Sequence, residues 1–230
     1  MLRYVWCEDQ GAGFKLWTEV FNVIDSDITV VTKKGISDLR KAAERINEDG
    51  NAYYLIIDTA LDNNDIRREI RKLQTSCKSK SNVFIIGFHS FEYIILSFEH
   101  LGQWLFNKNA IEDNKAKLLM LKDKFVNIIK DGGNLDDLAE IKTYLNYPEN
   151  KNTEHLAARL LRDITKDTVF STDKGHLGEC FVNDCCTAEI ANEEKKCGLI
   201  DNYLNKEQKV KDIVEKSVIV NELSRVGLYK

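Results

Sequence analysis

The first hundred positions alternate between two hydrophobic patterns. Short, almost uninterrupted apolar runs occur at Arg3–Cys7 (RYVWC), Asp27–Thr32 (DITVVT), Tyr53–Ile57 (YYLII) and Asn82–Gly87 (NVFIIG). Their β-branched and aromatic content, with polar or turn-forming residues at the ends, predicts four strands. Segments with helical spacing lie between them. Phe14–Ile24 gathers Leu16, Trp17, Val20, Phe21 and Ile24 on one face, Ile36–Ile46 gathers Ile36, Leu39, Ala43 and Ile46, and Asn64–Gln74 gathers Ile66, Ile70 and Leu73. Strands that are apolar on both faces and separated by amphipathic helices predict a parallel sheet covered on both sides.

After His89 the strand pattern stops. Phe91–Phe106, Ala110–Lys130, Leu135–Leu145, Glu154–Ile164 and Glu207–Glu215 read as helices, and Tyr147–Asn152 reads as a linker. The expected fold is therefore α/β: a four-stranded parallel sheet within residues 1–108, then a mostly helical half over 109–230 that holds a cysteine-rich segment at 174–199. A softer boundary falls near residue 150.

Composition narrows this picture. With 43% hydrophobic residues, three Trp, eight Tyr and ten Phe, the chain has enough apolar surface to offset the entropy of ordering, which excludes a disordered scaffold. A single Pro and twelve Gly speak against an all-β chain of tight turns. The formal charge of −4 gives no bulk attraction to nucleic acid, so any such contact needs a local patch. No apolar run approaches the roughly 20 residues of a membrane span. Glu8 and Asp9 interrupt the opening apolar run before it resembles a secretory signal. A cytoplasmic protein without membrane contact is expected.

Candidate chemistry gathers where ligands bind in parallel α/β sheets, beyond the carboxyl ends of the strands. Glu8 and Asp9 follow the first strand, Lys33, Lys34 and Gly35 the second, Asp58 and Asp62 the third, and His89, Ser90 and Glu92 the fourth. Carboxylates at one sheet edge are the usual means of holding Mg²⁺, a hard cation that prefers oxygen ligands. The alternative is helix capping, for which Asp62, Asn63 and Asn64 are suitable residues. Lys33 and Lys34 read either as phosphate contacts or as solvated loop lysines. Arg67, Arg68, Arg71 and Lys72, with Lys78 and Lys80 beyond, form the conspicuous basic patch, which is either a nucleic-acid contact or a solvated helix face. A lone His such as His89 at a strand end is more often structural than catalytic. Trp6, Trp17 and Trp104 fall on apolar faces and are expected in the core.

Three pieces of this pattern resemble the Toprim domain, shared by topoisomerases, primases, ribonuclease-type maturases and the nucleases of overcoming-lysogenization-defect type. They are Tyr4-Val-Trp-Cys-Glu8-Asp-Gln-Gly11, Val30-Val-Thr-Lys-Lys-Gly35-Ile-Ser-Asp-Leu39 and Leu55-Ile-Ile-Asp58. Phe88-His-Ser-Phe-Glu92-Tyr-Ile-Ile-Leu96 is similar to the acidic helix start after the fourth strand in defence-associated members. The resemblance covers about the first hundred residues, in short pieces. It implies a Mg²⁺-dependent nuclease or nuclease subunit, in a phage-defence setting, with nucleic acid as substrate and a protein partner such as an ATPase subunit. Glu8 matches the family's general acid/base, and Asp58 matches the first Asp of its Asp-x-Asp metal motif. The second Asp would stand at position 60, which is Ala60. Either Asp62 or Glu92 supplies the missing ligand, or the chain is a degenerate member that acts as a binding or regulatory subunit. A small-molecule-binding, flavodoxin-like module is a third reading. It is disfavoured because no glycine-rich phosphate loop follows the first strand.

Cys7 and Cys77 stand alone, whereas Cys180, Cys185, Cys186 and Cys197 crowd together downstream of His176. In a reducing compartment such a cluster suits a structural, tetrahedral Zn²⁺ held by Cys180, Cys185 or Cys186, Cys197 and His176. The spacing lacks paired Cys-x2-Cys motifs, so buried thiols and redox-active thiols remain alternatives.

Overall fold

Each predicted strand forms, within one residue of its expected limits. β1 (Arg3–Cys7), β2 (Ile28–Thr32), β3 (Ala52–Asp58) and β4 (Val83–Phe88) make one parallel sheet in the order β2-β1-β3-β4. This computed structural model describes residues 1–60, 62–106, 111–148, 152–166, 168 and 204–229. The register is continuous: Val5 pairs with Val30 on one side and Tyr54 on the other, and Ile56 pairs with Ile86. Such a parallel arrangement requires crossover helices. They are α1 (Gly11–Ile24), α2 (Ile36–Glu44) and α3 (Asn64–Cys77).

The two sheet faces bury separate cores. On one face α2 and α3 close over Leu55 and Ile57 with Leu39, Ala43, Ile70 and Leu73. The other face packs Val5, Tyr54, Ile56 and Ile86 against Trp17 and Phe21 of α1. That second cluster continues without a break into Phe98, Phe125, Leu160 and Ile213, so it draws on residues before and after position 108. The downstream helices are α4 (Phe91–Ser97), α5 (Leu101–Leu105), α6 (Asp113–Lys130), α7 (Ala139–Tyr144), α8 (Thr153–Thr165), α9 (Lys206–Glu215) and α10 (Ile219–Arg225), with a 3₁₀ turn at Leu135–Leu138 before α7. An α/β sheet followed by a helical half is thus the observed architecture. None of the described helices is long and apolar enough to cross a membrane.

Two differences from the sequence expectation have local causes. The segment expected as one helix over 91–106 breaks after Ser97. There Ser97 Oγ donates to the Ile94 carbonyl at 2.7 Å and accepts from Val218 N–H at 3.2 Å, while Glu99 N–H reaches the Lys216 carbonyl at 2.8 Å. The chain after α9 therefore draws the backbone out of helix at Phe98. The second difference is α10, whose β-branched Val218-Ile219-Val220 run gives no helical signal on its own. Burial of Ile219 and Leu223 against the core imposes the helix. Trp17 and Trp104 are buried as expected, but Trp6 is only half-buried.

Two basic side chains close backbone ends. Lys80 Nζ donates to the carbonyls of Ala43, Glu44 and Ile46 at 2.9, 2.9 and 2.6 Å, which satisfies the end of α2. Arg225 Nη2 donates to the Ile85 carbonyl at 3.0 Å on the flank of β4 that has no strand partner among the described residues.

Candidate functional site

The strand order decides where the acids meet. The chain leaves β1 towards β2 on one side and leaves β3 towards β4 on the other, so β1 and β3 flank the switch point at which the connections diverge. Glu8 follows β1 directly and Asp58 ends β3. Glu8 Oε1 accepts the Asp58 N–H at 2.6 Å, and the Ile36 N–H at the start of α2 gives its carboxylate a second hydrogen bond. Burial nevertheless outweighs these bonds. Together with repulsion from Asp9 and Glu154, it pushes the Glu8 carboxyl up to about 7.

Asp58 lies deeper in the same field. Burial first, then the charges of Glu8, Asp9, Glu154 and Glu92, raise it well above the usual carboxylate range. Five carboxylates from four elements therefore converge on the carboxyl end of the two central strands. Glu92 sits in the first turn of α4 with only 3% of its surface exposed, and Glu154 sits in the first turn of α8. Asp9 is fixed from behind, because its Oδ2 accepts from Trp17 Nε1 at 2.9 Å. Gly13 permits this placement: a Cβ there would meet Asp9 Oδ1 at 2.6 Å. Among the described residues, no three His, Cys, Asp or Glu side chains are arranged, as they stand, to hold a metal ion. A cation would have to draw these acids closer together.

Asp62 faces elsewhere. Its Oδ2 accepts the Thr153 N–H at 2.6 Å and its Oδ1 accepts the Thr153 hydroxyl at 2.9 Å, so both oxygens cap the start of α8. Asn63, and not Asp62, caps α3. Because the Thr153 proton goes to Asp62, the contact of 2.7 Å between Thr153 Oγ1 and His89 Nε2 must be donated by the imidazole. His89 Nδ1 is then a bare lone pair, and it is buried without a hydrogen-bond partner among the described residues. Burial pulls the His89 pKa down, against the opposing charges of Asp62 and Glu92. The Asp62–Thr153–His89 chain docks the helical half onto the sheet and leaves Glu8, Asp58 and Glu92 as the sequence candidates brought together.

The basic candidates separate into groups. Lys33 Nζ lies 3.8 Å from the centroid of the Trp6 ring, a cation–π contact, and partial burial lowers its pKa. Lys34 takes a left-handed φ of 60° beside Gly35, whose φ of 133° favours glycine, and these residues shape the turn before α2. Arg68 pairs with Asp65 at 3.2 Å and Lys72 with Glu69 at 2.9 Å, whereas Arg67 and Arg71 point into cavities beside β4. Cys7 is buried against the sheet, and burial with the nearby Asp9 charge pushes its thiol up to about 12, which makes it a poor nucleophile. His176, Cys180, Cys185, Cys186 and Cys197, the zinc candidates, lie outside the described residues.

Glu154 is absent from the candidates that the sequence yields. An acidic residue in the first turn after an Asn-Thr cap is its only local signal, and that signal says nothing about which strand end α8 meets. No protein-family model, curated protein or solved structure matches this chain.

Proposed function

We propose that the protein is a Mg²⁺-dependent, Toprim-like phosphodiesterase acting on nucleic acid, with its centre at Glu8, Asp58 and Glu92 and with Asp9 and Glu154 alongside. The observation that carries this reading is the crowding of like charges. Buried carboxylates that raise one another's pKa are costly unless a cation relieves them, and Mg²⁺ prefers such oxygen ligands. Asp58 and Glu92 would hold the cation, which supplies neutralisation of phosphate charge. Glu8, titrating at about 7, has the acidity suited to handling a proton near neutral pH. A cytoplasmic, reducing setting suits the free thiols of Cys7 and Cys77.

The decisive experiment compares wild type with Glu8→Gln on single- and double-stranded DNA and RNA, with Mg²⁺ or Mn²⁺ and with EDTA. Wild type should cleave at least one substrate only with the divalent cation, and Glu8→Gln should lower the rate by roughly 10²–10⁴-fold, the usual worth of a positioned acid or base. A second reading rests on Ala60, which is fully buried where the resemblance calls for a metal-binding Asp. If wild type and variant are equally inert on every substrate, the chain is instead a non-cleaving binding or regulatory subunit.

A further inference from the structure

Two cavities of about 630 and 960 Å³ share Thr59, Gly87 and Glu222, so they form one continuous trough. The trough follows β4, which among the described residues is the terminal strand of the sheet and pairs only with β3. Side chains of α3 line one side and those of α10 the other, while the turn after α6 closes one end. Thr59, at the junction of the two cavities, directly follows Asp58 in the chain. Gly87 keeps the floor flat, since a Cβ there would meet Thr59 Cγ2 at 2.7 Å.

Charge on α3 is divided between its two faces. Arg68 and Lys72 are paired with Asp65 and Glu69 on the outer face. Arg67, Arg71 and Lys78 line the trough, joined at its closed end by Lys130, and none of the four has an acidic partner among the described residues. The two acids in the trough are already engaged: Glu222 pairs with Arg225 at 2.8 Å, and Asp62 accepts from Thr153. A chain with a net charge of −4 thus collects four cations without acidic partners among the described residues along one channel, which passes Thr59, the residue after Asp58. At 1.5 Å per residue, Arg67 to Lys78 spans about 16 Å, the reach of several phosphates.

We infer that this trough carries a single nucleic-acid strand, held by its phosphates on Arg67, Arg71, Lys78 and Lys130 and led to the acid cluster. The inference rests on the phosphodiester reading above and adds the route of its substrate. A channel bounded by helices on both sides accepts one strand, whereas a duplex would rest on the helix crests. The arrangement is the charged groove that tracks a backbone without reading its sequence.

The test measures binding without catalysis. Fluorescence anisotropy with a labelled single-stranded oligonucleotide, DNA or RNA, in EDTA should show affinity falling with salt at a log–log slope of about −0.7 per phosphate engaged, or near −3 for four contacts. The variant R71A/K78A/K130A should shrink that slope by about 2 and weaken binding more than tenfold at low salt. The paired-face variant R68A/K72A should change affinity less than twofold. All five positions are exposed, so thermal midpoints near wild type will confirm that each variant folds. Salt-insensitive binding by wild type, equal weakening by the two variants, or tighter binding of duplex DNA or polyglutamate than of the single strand would each overturn the inference. Because no divalent cation is present, trough-dependent binding with no cleavage on adding Mg²⁺ supports this inference and removes only the catalytic reading. Cleavage by wild type with binding untouched by R71A/K78A/K130A does the reverse.

Discussion

Glu69 and Glu8 are the same side chain under opposite electrostatic conditions. Glu69, on the outer face of α3, lies 2.9 Å from both Arg40 and Lys72, and those hydrogen bonds and charges hold it down at about 2. Glu8, at the strand ends, is pushed up to about 7 by burial and by its acidic neighbours, although two backbone N–H groups bind it. The helix therefore neutralises its acid, whereas the strand ends leave Glu8 with a raised pKa. Arrangements of the first kind serve the fold. The second kind costs stability, and on the reading proposed above it is where a cation would bind.

The largest effect expected from this contrast is a pH-dependent stability gap between wild type and Glu8→Gln in metal-free protein. The Glu8 pKa of about 7 lies above its ordinary value of 4.5, so the folded chain binds this proton more tightly than the unfolded one. Its contribution is thus most favourable below pH 4.5, declines as pH rises to about 7, and is flat above that. The raised Asp58 has the same sign. Glutamine still accepts the Asp58 N–H but carries no charge. The variant should therefore melt higher than wild type at pH 7.5, by up to about 2–3 kcal/mol or roughly 5–10 °C. The two should converge near pH 4. Subtracting the curves cancels His89, whose lowered pKa has the opposite sign. Mg²⁺ should raise the wild-type midpoint, with about 2.7 kcal/mol gained at a hundredfold excess over Kd. It should raise Glu8→Gln less, because that variant keeps Asp58 and Glu92 but has one charge fewer for the cation to relieve. A gap that ignores both pH and Mg²⁺ would mean the two acids do not differ in kind.

A smaller effect sharpens the contrast from the side of Asp62, whose donors are already present. Thr153→Ala removes one of them and also the acceptor for His89, and it should cost about 1–2 kcal/mol. Thr153→Ser should recover most of that loss, and Asp62→Asn should leave the Mg²⁺ response intact. Loss of the Mg²⁺ shift in Asp62→Asn would instead place Asp62 in the cation site. The smallest change is expected of Glu69→Gln: under about 1 kcal/mol, with an unaltered Mg²⁺ response, as for other surface ion pairs.

The sheet was legible because its information is local. Runs such as Tyr53–Ile57 cannot be exposed on either face, and four of them separated by amphipathic helices leave few topologies. Glu8, Asp58 and Glu92 could be proposed for the same reason, since a parallel sheet gathers its strand ends on one edge. Glu154 and the docking role of Asp62 were not legible. Both depend on how α8 lands on the sheet, a contact across some 90 residues that no spacing rule encodes. The division of α3 into paired and unpaired faces was half visible: the helical period puts Arg67 with Arg71, but only the position of β4 shows which face meets the trough.

Arg225 has a consequence of a different order. A strand with Ile85 and Ile86 and, among the described residues, no partner on one flank offers a template on which a second copy could add a strand, the first step toward fibrillar association. By donating to the Ile85 carbonyl and extending a charged group over that flank, Arg225 occupies an acceptor that an incoming strand would need. Arg225 thus helps to keep the sheet solitary, and Arg225→Ala would leave that acceptor open to an incoming strand.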